Sequence, residues 1–291
     1  MLNPSLLPVF LREISGAHRF VREPEPELVM DDPEQVAAYS EAGRIDGAMA
    51  AMYLFHSARV SQVIQGCKTV LDLGCGPATQ LAQIAQLNPQ IQFTGVDLST
   101  SMLADAEKHV QAQGLANVTF QQGDITQLTG VGDQSVDAVI STMALHHLPS
   151  VEHLDACFAE TRRVLRPNGA VYLADFGRLK SEKSVRFFVQ MNAAHQPSSF
   201  VLDTERSLRA AFLKGDFTTL ASKSFGDSVR VHSTFKVPFL VLVKTADKPL
   251  SESTRGQLSA KRSALMPRYR RDLNNTCTFF TLGGLRNNPF A

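Results

Sequence analysis

No two of the four cysteines, Cys67, Cys75, Cys157 and Cys277, form a C-x-x-C pair. Their wide spacing resembles neither a zinc site nor a disulfide framework, so reduced thiols are expected. Net charge is nearly absent as well: 29 basic residues against 28 acidic ones leave +1. No overall field draws the chain to nucleic acid or an anionic membrane. The N-terminal M-L-N-P-S-L-L-P-V-F-L has no basic region and is broken by Pro4 and Pro8, and V-P-F-L-V-L-V is far too short to cross a bilayer. A cytoplasmic protein without an export signal is the expectation. Repeats and low-complexity tracts are missing too.

What is present centres on V-L-D-L-G-C-G-P, Val70 to Pro77. Val70, Leu71 and Leu73 make a buried strand, Gly74 and Gly76 allow a tight turn and close approach to a ligand, and Pro77 suits a first helical position. A second strand over 91–96 ends at Asp97, 21 positions beyond Gly76, about where a doubly wound fold keeps the acid that binds a ribose diol. A dinucleotide site would want a third glycine where Thr79 stands. Adenine and ribose without a phosphate, carrying an amino-acid tail, fit this turn better, and S-adenosylmethionine is such a ligand.

The 291 residues suffice for one large domain with appendages. Residues 1–66 read as an N-terminal helical cap, with an extended R-E-P-E-P-E connection and helical spacing from Gln35 to Gln65. Residues 67–245 alternate strand and helix, which predicts a parallel sheet covered on both faces. Its strands are expected at 69–73, 91–96, 118–121, 136–141 and 170–174, with a helix over 100–113 capped by Ser99. A helical insertion follows at about 180–215, where Phe187, Phe188, Met191, Phe200 and Phe212 either wall a pocket or pack on the sheet. Segments 217–225 and 235–243 read as an antiparallel pair that brings the strands to seven. Residues 246–291 form a basic extension with net charge +5 from Asp247 onward. It either presents a solvated face or docks an acidic partner, and its apolar residues either fold back on the core or meet a twin chain.

These residues resemble the class I S-adenosylmethionine-dependent methyltransferases, in particular the small-molecule branch of methyltransferase type 11 and ubiquinone–menaquinone methyltransferase-like proteins. V-L-D-L-G-C-G corresponds to their first motif, G-V-D-L-S to the second, Q-G-D-I to the third, D-A-V-I-S-T-M-A-L-H-H-L to the fourth and L-R-P-N-G-A-V-Y-L to the fifth. The resemblance implies an α/β, Rossmann-like, doubly wound seven-stranded sheet of order 3-2-1-4-5-7-6 with strand 7 antiparallel. It implies that Gly74 and Gly76 pass beneath the methionine portion of the donor and that Asp72 reaches its ammonium. Asp97 takes the ribose hydroxyls, and Asp124 the adenine amino group while Leu98 and Ile125 pack on the ring. Backbone at Ser141 and Thr142 approaches the ammonium, Gln80 holds the carboxylate, and Tyr39 lies against the sulfonium. Asp72 and Asp124 are alternatively a helix-turn cap and an Asx turn, Tyr39 a core residue, and Gln80 part of a solvated helix face.

For the transfer itself, His146 and His147 past strand 4 are candidate bases, since histidine titrates near neutrality. Their alternative is a structural crevice wall. Asp175 after strand 5 is a second candidate, or a turn cap. The N-P-P-Y sequence with which relatives hold a base nitrogen is replaced by S-T-M-A, which argues against nucleobases. No cluster resembles the metal set of catechol-type relatives, and the thiols expected for arsenic methylation are missing. Three readings stand: methylation of a small molecule, methylation of a peptide or protein side chain docked by the tail, and a non-catalytic donor-binding subunit.

Overall fold

The computed structural model describes residues 6–16, 20–26, 47–191, 193 and 196–290. In chain order its elements are α1 (Leu7–Ser15), α2 (Ala50–Val63), β1 (Thr69–Leu73), α3 (Thr79–Leu87), β2 (Gln92–Asp97), α4 (Thr100–Ala112), β3 (Val118–Gln122), β4 (Val136–Thr142), α5 (Val151–Val164), β5 (Leu165–Phe176), α6 (Glu182–Gln190), α7 (Ser198–Ala210), α8 (Lys214–Phe225), β6 (Arg230–Ser233), β7 (Leu240–Lys244), α9 (Glu252–Ala264) and α10 (Pro267–Leu282). The strands form one sheet in the order β3-β2-β1-β4-β5-β7-β6. The first five run parallel, and β7 is antiparallel to both β5 and β6.

Apolar runs on the central strands follow from their double burial. On one face Val70, Phe93, Ala138, Ile140 and Tyr172 meet α2, α3, α4 and the C-terminal helices; on the other Leu71, Val139, Val171 and Leu173 meet α5 and α8. Because the C-terminal ends of β1, β2 and β4 line up in register, Asp72, Asp97 and Thr142 come to one edge of the sheet.

The structure corrects the expected elements in four places. Segment 217–225 is helical, not a strand: Phe217, Leu220 and Ala221 are buried at helical spacing, and the Asp216 carboxylate accepts from the Leu213 N–H at the helix start. The antiparallel partner of β7 is instead β6, and β7 begins at Leu240. Pro77 does not open a helix, because Ala78 takes a left-handed conformation (φ 56°) and α3 begins at Thr79. Strand 5 extends to both sides of 170–174, with Asn168 in the left-handed region absorbing the R-P-N-G corner. Ser99 caps α4 as expected, its hydroxyl accepting from Met102 N–H at 3.0 Å.

The basic extension folds back on its own chain. Leu258, Leu265, Leu273, Cys277, Phe280 and Leu285 join the core around α2, with Phe280 stacked on Phe55 at 5.1 Å between ring centroids. Buried Arg59 of α2 donates to the Arg286 and Asn287 carbonyls at 2.9 Å and so fastens the far end. Several tail cations are used internally: Arg262 donates to Asn274 and to the Phe290 carbonyl, and Arg270 to the Ser263 and Leu265 carbonyls. Among the described residues no helix is long and apolar enough to cross a membrane. All four cysteines are unpaired.

Candidate active site

The turn after β1 is built on backbone contacts to β2. Gly74 and Cys75 N–H groups donate to the Val96 carbonyl at 2.8 and 3.1 Å, and Gly76 N–H donates to Asp97 Oδ2 at 2.8 Å. Gly74 (φ 70°) admits no side chain, since a Cβ there would stand 2.5 Å from that of Ala144; Gly76 (φ 51°) faces open space. Asp97 Oδ1 accepts from Ser99 N–H at 3.0 Å, so one carboxylate joins the glycine turn to the start of α4.

These groups wall a cavity that brings together Asp72, Gly74, Gly76, Gln80, Asp97, Leu98, Asp124, Ile125, Thr142 and His147 of the expected set. Burial pushes the Asp72 carboxyl up to about 8, helped by the neighbouring Asp97 charge, and Asp97 is itself raised by burial against the backbone N–H groups that hold it. Two acids disfavoured as free anions make the cavity suited to a ligand carrying positive charge and hydroxyl donors. Gln80 is buried rather than solvated. Its Oε1 accepts from Thr142 Oγ1 at 3.0 Å, while its Nε2 is buried without a partner. An unpaired amide donor in a cavity wall is a costly group that a ligand acceptor would satisfy.

Other expected residues fall differently. Ser141 is fully buried with its hydroxyl on the Leu73 carbonyl at 2.7 Å, tying β4 to β1 without lining the cavity. Asp124 makes the Asx turn, Oδ1 accepting from Thr126 N–H and Oγ1 at 2.7 Å, and also lines the cavity. Tyr39 lies outside the described residues. Met102, Tyr53 and His153 complete the wall and were not singled out in the sequence.

A second, larger cavity of about 880 Å³ adjoins the first, and Met143 and His147 line both. Phe188, Met191 and Phe200 of the insertion contribute to its apolar wall, together with Met52, Phe239 and Phe279. Phe187 packs edge-on against Phe188, and Phe212 is wholly buried in the core beneath the Arg22 guanidinium.

His146 and His147 sit in a single turn of 3-10 helix after β4. Asp175 lies behind it with no solvent exposure: Oδ2 accepts from His146 N–H at 2.8 Å and Oδ1 from His146 Nδ1 at 2.6 Å. It lines neither cavity, so its place is that of a positioning group. Burial disfavours the His146 cation, but Asp175 and Glu25 outweigh it and raise the ring's pKa.

Glu25 had no signal in the sequence. The extended segment 20–26 crosses the histidine turn, held by Arg22, whose guanidinium donates to the carbonyls of His146, Leu148, Pro149 and Ala210. Glu25 is thereby delivered to the histidines, with Oε2 3.0 Å from His147 Nδ1, Oε1 3.8 Å from His146 Nε2, and Oε1 also accepting from Ser207 Oγ at 3.0 Å. Burial works against its ionisation, yet the bond and charge of His147 and the charge of His146 hold its pKa down to about 2.

Known proteins resemble this chain in part of its sequence and in its fold. Residues 65–207 match a protein family described as a methyltransferase domain. A trans-aconitate 2-methyltransferase of Deinococcus radiodurans is 44% identical over 102 residues, 35% of this chain and 35% of that protein. An arsenite methyltransferase of Halobacterium salinarum is 37% identical over 109 residues, 37% of this chain and 27% of that one. The matched segments thus span about a third of the length of these curated relatives. The solved structure of the plantazolicin methyltransferase BpumL with S-adenosylhomocysteine superposes with a TM-score of 0.55 at 17% identity, covering 81% of this chain and 88% of that one. At that identity the likeness is one of fold.

Proposed function

Because the chain belongs, through residues 65–207, to the class I S-adenosylmethionine-dependent methyltransferases, we propose that it transfers a methyl group from that donor to a small-molecule acceptor seated in the second cavity. The observation that carries this reading is the meeting of the two cavities at Met143 and His147. A donor held in the first would present its methyl group to an acceptor in the second.

The geometry of the first cavity supports a set of donor roles. Gly76, with open space above its Cα, lets the methionine portion lie on the backbone, and Asp72 offers a carboxylate to the ammonium. The orphan Nε2 of Gln80 donates to the carboxylate. Asp97 accepts from the ribose hydroxyls through lone pairs left by Gly76 and Ser99, and Asp124 accepts from the adenine amino group while Leu98, Ile125 and Met102 enclose the ring. The bound sulfonium supplies an electrophilic methyl group. The protein's own work is to align the acceptor, exclude water and receive a proton where the acceptor carries one. His147, at the junction of the cavities, is the group facing that acceptor atom, with Glu25 Oε2 3.0 Å from its Nδ1, and Asp175 fixes the turn through His146.

Methyl transfer from tritium-labelled S-adenosylmethionine into a small-molecule extract, beside transfer into a protein fraction, tests the proposal. Label in the small-molecule fraction is expected. Label confined to protein, or tight S-adenosylhomocysteine binding without any transfer, would replace it with the peptide-directed or the non-catalytic reading.

A further inference from the structure

The strap carrying Glu25 gives the histidine turn a third ligating group. We propose that Glu25, His146 and His147 bind a divalent first-row transition-metal ion, of the zinc or manganese kind, with an open position toward the acceptor cavity. The proposal deepens the functional reading above and rests on it only for the acceptor's place.

The geometry is the first argument. One potential ligand atom from each residue lies within 4.8 Å of the other two. Bond lengths of about 2.0–2.2 Å at a tetrahedral ion put neighbouring ligand atoms roughly 3.4 Å apart. Glu25 lies 3.0 Å from His147 Nδ1 through Oε2 and 3.8 Å from His146 Nε2 through Oε1, on either side of that value, so an ion here would draw on both carboxylate oxygens or turn one of them toward both rings.

Outer support is the second. Asp175 Oδ1 holds the Nδ1 side of His146 at 2.6 Å, and the other ring nitrogen faces the Glu25 carboxylate at 3.8 Å, too far for a hydrogen bond. An ion in that gap would have a ligand atom on either side. A carboxylate–histidine pair of this kind orients an imidazole for a metal, and Ser207 Oγ does the same for Glu25 by donating to Oε1. Two imidazoles and a carboxylate favour zinc, manganese, iron or cobalt over magnesium and calcium, which prefer all-oxygen shells.

Local charge is the third. Glu25, Asp175 and Asp203 surround the two rings, and Asp203 is raised by burial and by the Glu25 charge. Of the nearby cations, Arg22 spends its hydrogen-bonding edge on four carbonyls and Arg206 acts on Asp203. His146, His147, Asp203 and Ser207 all border the acceptor cavity, so the remaining coordination position faces the acceptor. A hydroxyl bound there would release its proton to solvent water more readily, because the ion stabilises the oxyanion that remains. Glu25 and His147 would then act as ligands.

The test is cobalt binding to full-length protein stripped with chelator, read by the visible absorption of histidine-ligated Co²⁺ and by metal analysis after desalting. One equivalent is expected, displaced by Zn²⁺. Glu25→Gln and His147→Ala should each weaken binding at least about tenfold, Asp175→Asn by about 10–100-fold, and His109→Ala not at all. S-adenosylhomocysteine affinity and melting temperature certify that each variant is folded. No uptake by the wild-type protein at millimolar cobalt, or uptake undiminished in folded Glu25→Gln and His147→Ala, overturns the proposal. Because cobalt uptake needs neither donor nor acceptor, failure of the methyl-transfer reading would appear separately, as absent homocysteine-analogue binding or absent label transfer.

Discussion

Asp175 grips His146 twice, accepting from its backbone N–H at 2.8 Å and from its ring Nδ1 at 2.6 Å. The carboxylate is wholly buried at the end of β5, so it fixes both the path of the 3-10 turn and the ring that turn presents. Neither bond depends on a ligand. The site's polar edge is therefore set before anything binds.

Asp175→Asn separates positioning from fold. An amide can still accept one of the two bonds, but its NH₂ faces a donor, and a buried mismatch of this kind costs about 1–3 kcal/mol. Turnover is expected to fall by about 10²-fold, the low end for a displaced acid–base group, while S-adenosylhomocysteine affinity by calorimetry stays within about threefold. Equal losses in affinity and turnover would mean that the substitution has disturbed the donor cavity as well.

Much of the lining of the first cavity was legible because its parts are contiguous. Strand, glycine turn and strand-end acid lie within V-L-D-L-G-C-G and G-V-D-L-S, and parallel register alone brings Asp72 and Asp97 to one edge. Glu25 was not legible, since an acid in a proline-broken polar segment looks solvated until the Arg22 clamp lays it over the histidines. Segment 217–225 was misread because Thr218 and Thr219 favour a strand locally, whereas burial of Phe217, Leu220 and Ala221 selects the helix. The C-terminal extension showed its cations plainly, but acceptors that only folding brings within reach decided that Arg262 and Arg270 serve the fold.

Asp97→Ala removes a charged acceptor shared by the glycine turn, α4 and the proposed ribose contacts. Loss of charge-assisted bonds worth about 1.5–3 kcal/mol corresponds to S-adenosylhomocysteine binding weaker by roughly 10- to 150-fold. Asp97→Asn, which keeps an oxygen for one backbone N–H, should be milder in melting temperature yet similar in affinity. Undiminished binding in calorimetry removes the ribose assignment.

Gln80→Leu tests the orphan amide. Since Nε2 is buried without a partner, removing it relieves an unsatisfied donor, and the main loss within the fold is the bond from Thr142. The ligand-free variant should melt within about 1 kcal/mol of wild type, while donor affinity falls by about tenfold because the carboxylate loses its neutral donor. A variant that melts much earlier and binds as well as wild type would make Gln80 a purely structural residue.

Asp72 supplies a pH dependence whose sign is fixed by its raised pKa. In the unfolded chain the carboxyl ionises at its ordinary value near 3.8, but in the folded protein it holds its proton to about 8, chiefly through burial and then through Asp97. Between those values the folded state binds more protons, so this group's contribution to stability falls as pH rises and levels off above about 8. A donor ammonium beside Asp72 would favour the anion and flatten that decline. Melting curves from pH 5 to about 8.5 should therefore show a steeper fall for the ligand-free wild type than for Asp72→Asn, with S-adenosylhomocysteine narrowing the gap. Parallel profiles for wild type and variant, with or without ligand, would show that Asp72 ionises in the fold as it does in water and has no ammonium to meet.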